Sequence, residues 1–219
     1  MNLKYKHILW DWNGTLVDDI DLCIFVTNKL MKKRRRDFQI DRNIYLREFT
    51  FPVIEFYQRI GFDFSLESFA EMSEEWIGEY KSNFESQSSL NGEVTEVLTE
   101  MRQLGFRQSI LSACEVNLLN HSINHLELND FFHLIHGTGN NQAHGKVDLA
   151  LSIIEEQHCS PEESILFGDT VHDYEVAQAA GIDCVLIANG HQHEDRLEKT
   201  GAPVIRDISQ VPNFLKSLQ

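Results

Sequence analysis

Apolar positions along the chain change period once, near Asn91. The opening run Ile8-Leu9-Trp10 is continuously apolar, which predicts a buried strand, and it stops at the carboxylate of Asp11. Gly14 permits a sharp turn, and a periodic segment follows from Val17. As far as Phe84 the pattern is helical. Leu22, Phe25, Val26 and Leu30 share one face of a helix over 21–31. Phe51-Pro52 opens a second helix carrying Ile54, Phe56, Tyr57 and Ile60, ended by Gly61. A third covers 65–84, opened by Ser65 with Glu67 in its first turn, and 47–52 reads as a loop.

Beyond Asn91-Gly92, short apolar strands alternate with helices. Strands are expected at 108–111, 132–135, 164–167, 184–187 and 203–205, and helices at 94–104, 117–128, 147–157, 174–180, 194–199 and 211–218. Such alternation predicts an α/β fold, a doubly wound and mostly parallel sheet covered on both faces. The expected organisation is a Rossmann-like core made of 1–16 and 85–219, with 17–84 inserted after the first strand as a small helical cap.

Composition narrows the partners. Lys and Arg number 19 against 34 Asp and Glu, a net charge of −15, which repels nucleic acid and anionic membranes over most of the surface. A phosphate ester is repelled too, so any anion site has to be a local positive pocket. The run Lys32-Lys33-Arg34-Arg35-Arg36 reads as a solvated helix end whose cations suit the C-terminal dipole. Cys23, Cys114, Cys159 and Cys184 are scattered without a CxxC pair, as expected of free thiols in a reducing compartment. The first seven residues lack a signal-peptide apolar core and no apolar run approaches a membrane span, so a cytoplasmic location is expected, with the chain a monomer or homodimer.

Candidate chemistry collects where strands end. Asp11 follows the first strand, Ser112 the second and Asp169 the fourth, while Lys146 stands at a helix start in Gly145-Lys146. Ligands of open α/β sheets bind at the carboxyl ends of strands. Singly, each has an ordinary reading, with Ser112 a helix cap, Lys146 a solvent-facing amine, and Asp169 and Asp173 a capping pair. His191 and His193 lack Cys or Asp partners at metal-ligand spacing and read as solvated loop. His172 reads as an exposed histidine at a helix start, and Trp12 as core. His121, His125, His133, His136 and His144 form no zinc pattern.

The segment Asp11-Trp12-Asn13-Gly14-Thr15-Leu16 resembles the first motif of the haloacid dehalogenase superfamily, Asp-x-Asp-Gly-Thr-Leu in its phosphatases. Ser112, Lys146 and the stretch Gly168-Asp169-Thr170-Val171-His172-Asp173 match the other three motifs in order and spacing, and the resemblance runs from about residue 5 to residue 190. The helical insertion resembles the cap of the phosphoglycolate phosphatase and phosphomutase branch. Asn91-Gly92-Glu93-Val94 stands where that branch has Pro-Gly-Val.

The resemblance implies a Mg²⁺-dependent phosphatase of a small phosphorylated metabolite. Asp11 would be the nucleophile that forms an aspartyl-phosphate, and Lys146 would supply positive charge. Asp11, the Asn13 main-chain carbonyl, Asp169 and Asp173 would hold the metal. Thr15, Ser112 and Ala113 would bind phosphoryl oxygens, with Arg47 in the cap a candidate for a second anionic group. Asn13 departs from the pattern. Family phosphatases have an acid/base Asp there, and Asn carries no titratable proton. General acid–base catalysis is worth about 10² to 10⁴ in rate, so the enzyme is expected to be slowed and its aspartyl-phosphate to accumulate. A phosphomutase and a catalytically weak binding or regulatory module are the competing readings. A dehalogenase fits less well, since those lack the metal.

Overall fold

The computed structural model describes residues 4–139 and 145–218, so His144 lies outside the described residues. The first strand is β1 (His7–Trp10), and a two-residue strand β2 (Val17–Asp18) follows the Gly14 turn. Four helices come next, α1 (Ile20–Lys33), α2 (Arg42–Glu48), α3 (Val53–Arg59) and α4 (Phe69–Gln87), and then β3 (Ser89–Leu90). The remaining chain runs α5 (Val94–Gln103), β4 (Arg107–Glu115), α6 (Val116–His125), β5 (Leu134–Thr138), α7 (Lys146–Glu156) and β6 (Ser164–Gly168). It finishes with α8 (Val171–Ala180), β7 (Asp183–Ile187), α9 (Glu194–Leu197), β8 (Val204–Ile205) and α10 (Val211–Ser217).

Six strands form one parallel sheet in the order β5-β4-β1-β6-β7-β8. Strand residues alternate between its faces. Ile8, Trp10, Ile110, Ile165 and Phe167 join a core that includes α1, α5 and α6. Leu9, Leu111, Leu166 and Leu186 join the opposite core, with Ala150 and Ile153 of α7 and Val176 and Ala177 of α8. The expected doubly wound α/β sheet is therefore the observed one. The chain runs outward from β1 through β4 to β5, then returns to the other side at β6. That reversal opens a crevice beyond the carboxyl ends of β1, β4 and β6.

Local differences from the sequence expectation have physical causes. Residues 17–18 are not helical: Val17 and Asp18 pair antiparallel with Leu90 and Ser89, so two chain-distant dipeptides supply each other's ladder bonds. The expected loop at Arg47 is the end of α2, which Asp41 caps by accepting from the Ile44 amide at 2.8 Å. Helix α4 starts at Phe69 because Ser68, not Ser65, accepts from the Glu71 amide at 3.3 Å, while Ser65 turns back to Asp63. The basic run is not a free solvated end. Arg34 binds Glu67 at 2.5 Å and Glu75 at 3.1 Å, Lys33 binds Glu75 at 2.6 Å, and Arg36 donates to the Gly61 carbonyl, so α1 is tied to α4 and the loop before it. The four cysteines are free, and no helix among the described residues is long and apolar enough to cross a membrane.

Trp10 is the largest side chain at the centre of the sheet, fully buried and stacked on Phe167 at 5.0 Å. Its indole N–H donates to Gln108 Oε1 at 3.1 Å, and Gln108 is itself buried. Trp10→Phe keeps much of the apolar contact but strands that carbonyl. It is expected to lower unfolding free energy by about 1–3 kcal/mol in urea titration, with Trp10→Phe/Gln108→Leu recovering part of the loss.

Candidate active site

Asp11 is held at the end of β1 by its own amide, which donates to the Phe167 carbonyl at 2.8 Å and carries the β1–β6 ladder one residue past the strand. Lys146 is the first residue of α7, after Gly145 in a left-handed conformation. The Lys146 ammonium reaches Asp11 Oδ1 at 2.5 Å and Asp173 Oδ1 at 2.6 Å, and all three side chains are buried. Asp173 also serves α8. Its Oδ2 accepts from the Thr170 amide at 3.0 Å and the Thr170 hydroxyl at 2.6 Å, completing a reciprocal cap in which Thr170 is the N-cap. The capping reading thus holds for Asp173, with Thr170 and not Asp169 as its partner, and the other oxygen of Asp173 faces Lys146.

Asp169 lies between these groups, fully buried. It accepts from Thr15 Oγ1 at 2.8 Å and from the His191 amide at 2.6 Å. Backbone packs so tightly on this carboxylate that a Cβ at Gly14 or Gly190 would overlap it, and Gly14 is left-handed besides (φ 78°). Carboxylate oxygens of Asp11, Asp169 and Asp173 lie within 4.8 Å of one another. Burial pushes Asp11 well above the usual carboxylate range, against Lys146 and with the help of Asp173 and Asp169. Burial likewise lifts Asp169 to about 6. Asp173 goes the other way: burial opposes its charge, but Lys146 and Thr170 outweigh that and hold it below the ordinary value.

A second buried network adjoins the first. Asn13 donates to Asp19 Oδ2 at 2.8 Å and to the Tyr80 hydroxyl at 2.9 Å, which uses both of its N–H bonds. The Tyr80 hydroxyl donates to Asp19 at 2.7 Å, and His191 Nε2 meets Asp19 Oδ1 at 3.1 Å while its Nδ1 meets the Tyr45 hydroxyl at 2.8 Å. Burial disfavours charge on His191, but Asp19 beside it, aided by Asp169 and Asp11, lifts the imidazole to about 9. Burial also opposes the charge on Asp19, yet His191, Tyr80 and Asn13 keep it below the usual range. His191 is thus a buried ion-pair partner and not a solvated loop residue. Sequence reading missed Asp19, Tyr45 and Tyr80 as well; the acidic pair Asp18-Asp19, directly after a motif that lacks its second carboxylate, was the available signal.

A cavity of about 190 Å³ connects both networks and is lined by Asp11, Asn13, Ser112, Ala113, Lys146 and Asp173, with further residues from the helices between β2 and β3. Ser112 Oγ accepts from the Cys114 amide at 3.1 Å, and α6 is capped by Glu115 instead. Arg47 is not in the lining. It is exposed on α2 with Nε donating to Asn43 at 3.1 Å. His172 opens α8 but is not exposed: its ring packs on Phe51 at 4.8 Å with the side chain 19% accessible. Trp12 is core, as expected. A larger hollow of about 550 Å³ along Thr95, Glu96 and Thr99 of α5 is open surface with no convergent chemistry.

The family model of haloacid dehalogenase-like hydrolases matches residues 8–187. The chain belongs to that family. A solved haloacid dehalogenase-like hydrolase from Streptococcus pneumoniae superposes with a TM-score of 0.83 at 21% identity, covering 96% of this chain and 98% of that one. A predicted phosphoglycolate phosphatase from Haemophilus somnus superposes with a TM-score of 0.80 at 14% identity, covering 98% and 99%. At these identities the likeness is one of fold. The tyrosine-protein kinase PtkA of Mycobacterium tuberculosis is 24% identical over 153 residues, 68% of this chain and 53% of its own, so this chain spans about half the length of that relative.

Two outcomes follow from the Asp19 network. The His191 imidazole is raised from 6.5 to about 9, so the stability it contributes is fully present below pH 6.5 and is lost as pH rises through 9. The stability gap between the protein and His191→Gln, measured by denaturant titration, should shrink over that range by on the order of 3 kcal/mol. Asn13→Asp would set a second carboxylate against Asp19. It is expected to cost about 1–3 kcal/mol at pH 8 by the same titration, with a smaller cost at a pH low enough to protonate one of the two carboxylates.

Proposed function

We propose that this protein is a Mg²⁺-dependent phosphatase acting on a small phosphomonoester through an aspartyl-phosphate on Asp11, with a slow second half-reaction. The observation that carries this reading is the Asp11–Lys146–Asp173 bridge with Asp169 alongside, at the mouth of a cavity. In this reading 1–16 and 85–219 form the catalytic core and 17–84 the cap.

The donor set suits Mg²⁺. Three buried carboxylates share one ammonium, and the raised Asp11 and Asp169 are carboxylates short of counter-charge. Hard oxygen donors are what Mg²⁺ takes, and Asp11, Asp169, Asp173 and the Asn13 carbonyl would hold it. When bound it would neutralise phosphoryl oxygens that otherwise face a carboxylate nucleophile.

The chain's own groups supply the remaining chemistry. An Asp11 oxygen attacks phosphorus, the bond to the ester oxygen breaks, and that oxygen departs with the electron pair. Lys146 offers charge to the attacking and transferring groups, and Ser112 with the Ala113 backbone offers hydrogen bonds to phosphoryl oxygens. Asn13 cannot protonate the leaving oxygen or draw a proton from water, because both its N–H bonds are committed and its oxygen only accepts. Hydrolysis of the acyl phosphate is then the slow step. The same feature favours a second reading, a weakly catalytic binding module.

Rapid-quench assay of p-nitrophenyl phosphate with Mg²⁺ separates the two. A burst near one product per site followed by slow turnover is expected, and Asp11→Asn should lower the rate by at least about 10³-fold. Mg²⁺ alone should raise the melting temperature. Undiminished turnover in Asp11→Asn would sink the covalent mechanism, and no product together with no Mg²⁺ shift would leave the binding module.

A further inference from the structure

The lining of the cavity beside Asp11 carries four carboxylates, Asp11, Asp19, Asp173 and Glu115, and two cations, Lys146 and His191. Both cations are engaged, Lys146 by Asp11 and Asp173 and His191 by Asp19. The rest of the lining is mostly apolar, with Phe49, Phe51, Trp76, Ile77, Tyr80 and Leu118 among its residues.

The polar tips of those aromatic groups point elsewhere. The Tyr80 hydroxyl is bound to Asp19 and the Trp76 indole N–H to Thr27 at 3.3 Å; the Tyr45 hydroxyl, also in the lining, is bound to His191. What they offer the cavity is therefore ring surface. No lining cation among the described residues is left for a second anion, and Arg47 is outside the lining.

We propose that the site selects phosphomonoesters whose leaving group is uncharged and apolar, of the size of one aromatic ring. This rests on the phosphatase reading above and names its substrate class. The volume sets the limit. The cavity of about 190 Å³ has to hold the phosphoryl group and its leaving group together. An apolar cavity of about 150 Å³ already suffices for a benzene ring, so the leaving group can be no larger than about one ring. Ring-on-ring contact rewards an aromatic alcohol. A carboxylate in the same place loses its water, gains no counter-charge and faces a lining with more carboxylates than cations. Phosphoglycolate, the ester suggested by the cap resemblance, carries that carboxylate.

The test compares esters that differ by one carboxylate: benzyl phosphate against 4-carboxybenzyl phosphate, and ethyl phosphate against phosphoglycolate, all with Mg²⁺. We expect kcat/KM to fall at least about tenfold on adding the carboxylate in each pair, and to rise from ethyl to benzyl. Ser73→Lys, which places a cation on the lining, should narrow the carboxylate penalty. Equal or faster turnover of either carboxylate ester would overturn the proposal. If no ester is turned over, the phosphatase reading fails. Calorimetry with benzylphosphonate and phosphonoacetate then decides the pocket: tighter benzylphosphonate supports the proposal, while equal or tighter phosphonoacetate, or binding of neither, overturns it.

Discussion

Crowding of buried carboxylates around a single lysine is the constraint on which the rest of the structure depends. Asp11, Asp169 and Asp173 have oxygens within 4.8 Å of one another, out of water, where repulsion is poorly screened. One ammonium answers two of them directly. The third, Asp169, accepts from the Thr15 hydroxyl and the His191 amide and is helped by the charge of the His191 imidazole, without an ammonium of its own. Much of the local chain is shaped to make this tolerable. Helix α7 begins with Lys146, α8 is capped through the spare oxygen of Asp173, and glycines at 14 and 190 let backbone close over Asp169 where a methyl group would collide. Such an arrangement is costly to keep without further positive charge.

The neighbouring Asp19 network obeys the opposite rule. Its carboxylate is answered by imidazolium, amide and phenol, and these partners outweigh the burial that opposes charge on Asp19 and His191 alike. Asn13 joins the two regions. As a neutral donor it can stand 2.8 Å from Asp19, whereas an ionised side chain in its place would repel that group. The carboxylate missing from position 13 and the one present at 19 are thus two sides of one exchange, from acid/base chemistry at the motif to a fixed ion pair beside it.

How much of this was legible in the sequence depended on whether the determining contact was local. Alternating apolar strands revealed the sheet because each strand's pattern is written in consecutive residues. Strand ends followed by Asp11 and Asp169 marked the crevice for the same reason, whereas Ser112 lies within β4, which runs on through a register shift to Glu115. The β2–β3 pair was hidden, since two dipeptides some seventy positions apart have no pattern until they meet. The start of α4 was misplaced between two serines, because which hydroxyl caps is decided by backbone angles and not by residue type. His191 was misread for want of partners at ligand spacing; its partners Asp19 and Tyr45 lie 172 and 146 positions away. Arg47 stands in a turn of α2 that buries Tyr45, and its own side chain is exposed outside the cavity lining.

Charged and apolar groups line the same cavity, and that has consequences for the charges themselves. Aromatic side chains from α2, α3 and the following helix pack on one another, as in Tyr45 on Phe56 at 5.4 Å and Trp76 on Tyr80 at 5.0 Å, and line the cavity together with Asp11, Lys146 and Asp173. Low-polarity surroundings strengthen every charge interaction, favourable and unfavourable alike. Lys146 therefore counts for more beside Asp11 than it would in solvent, and so does each uncompensated carboxylate.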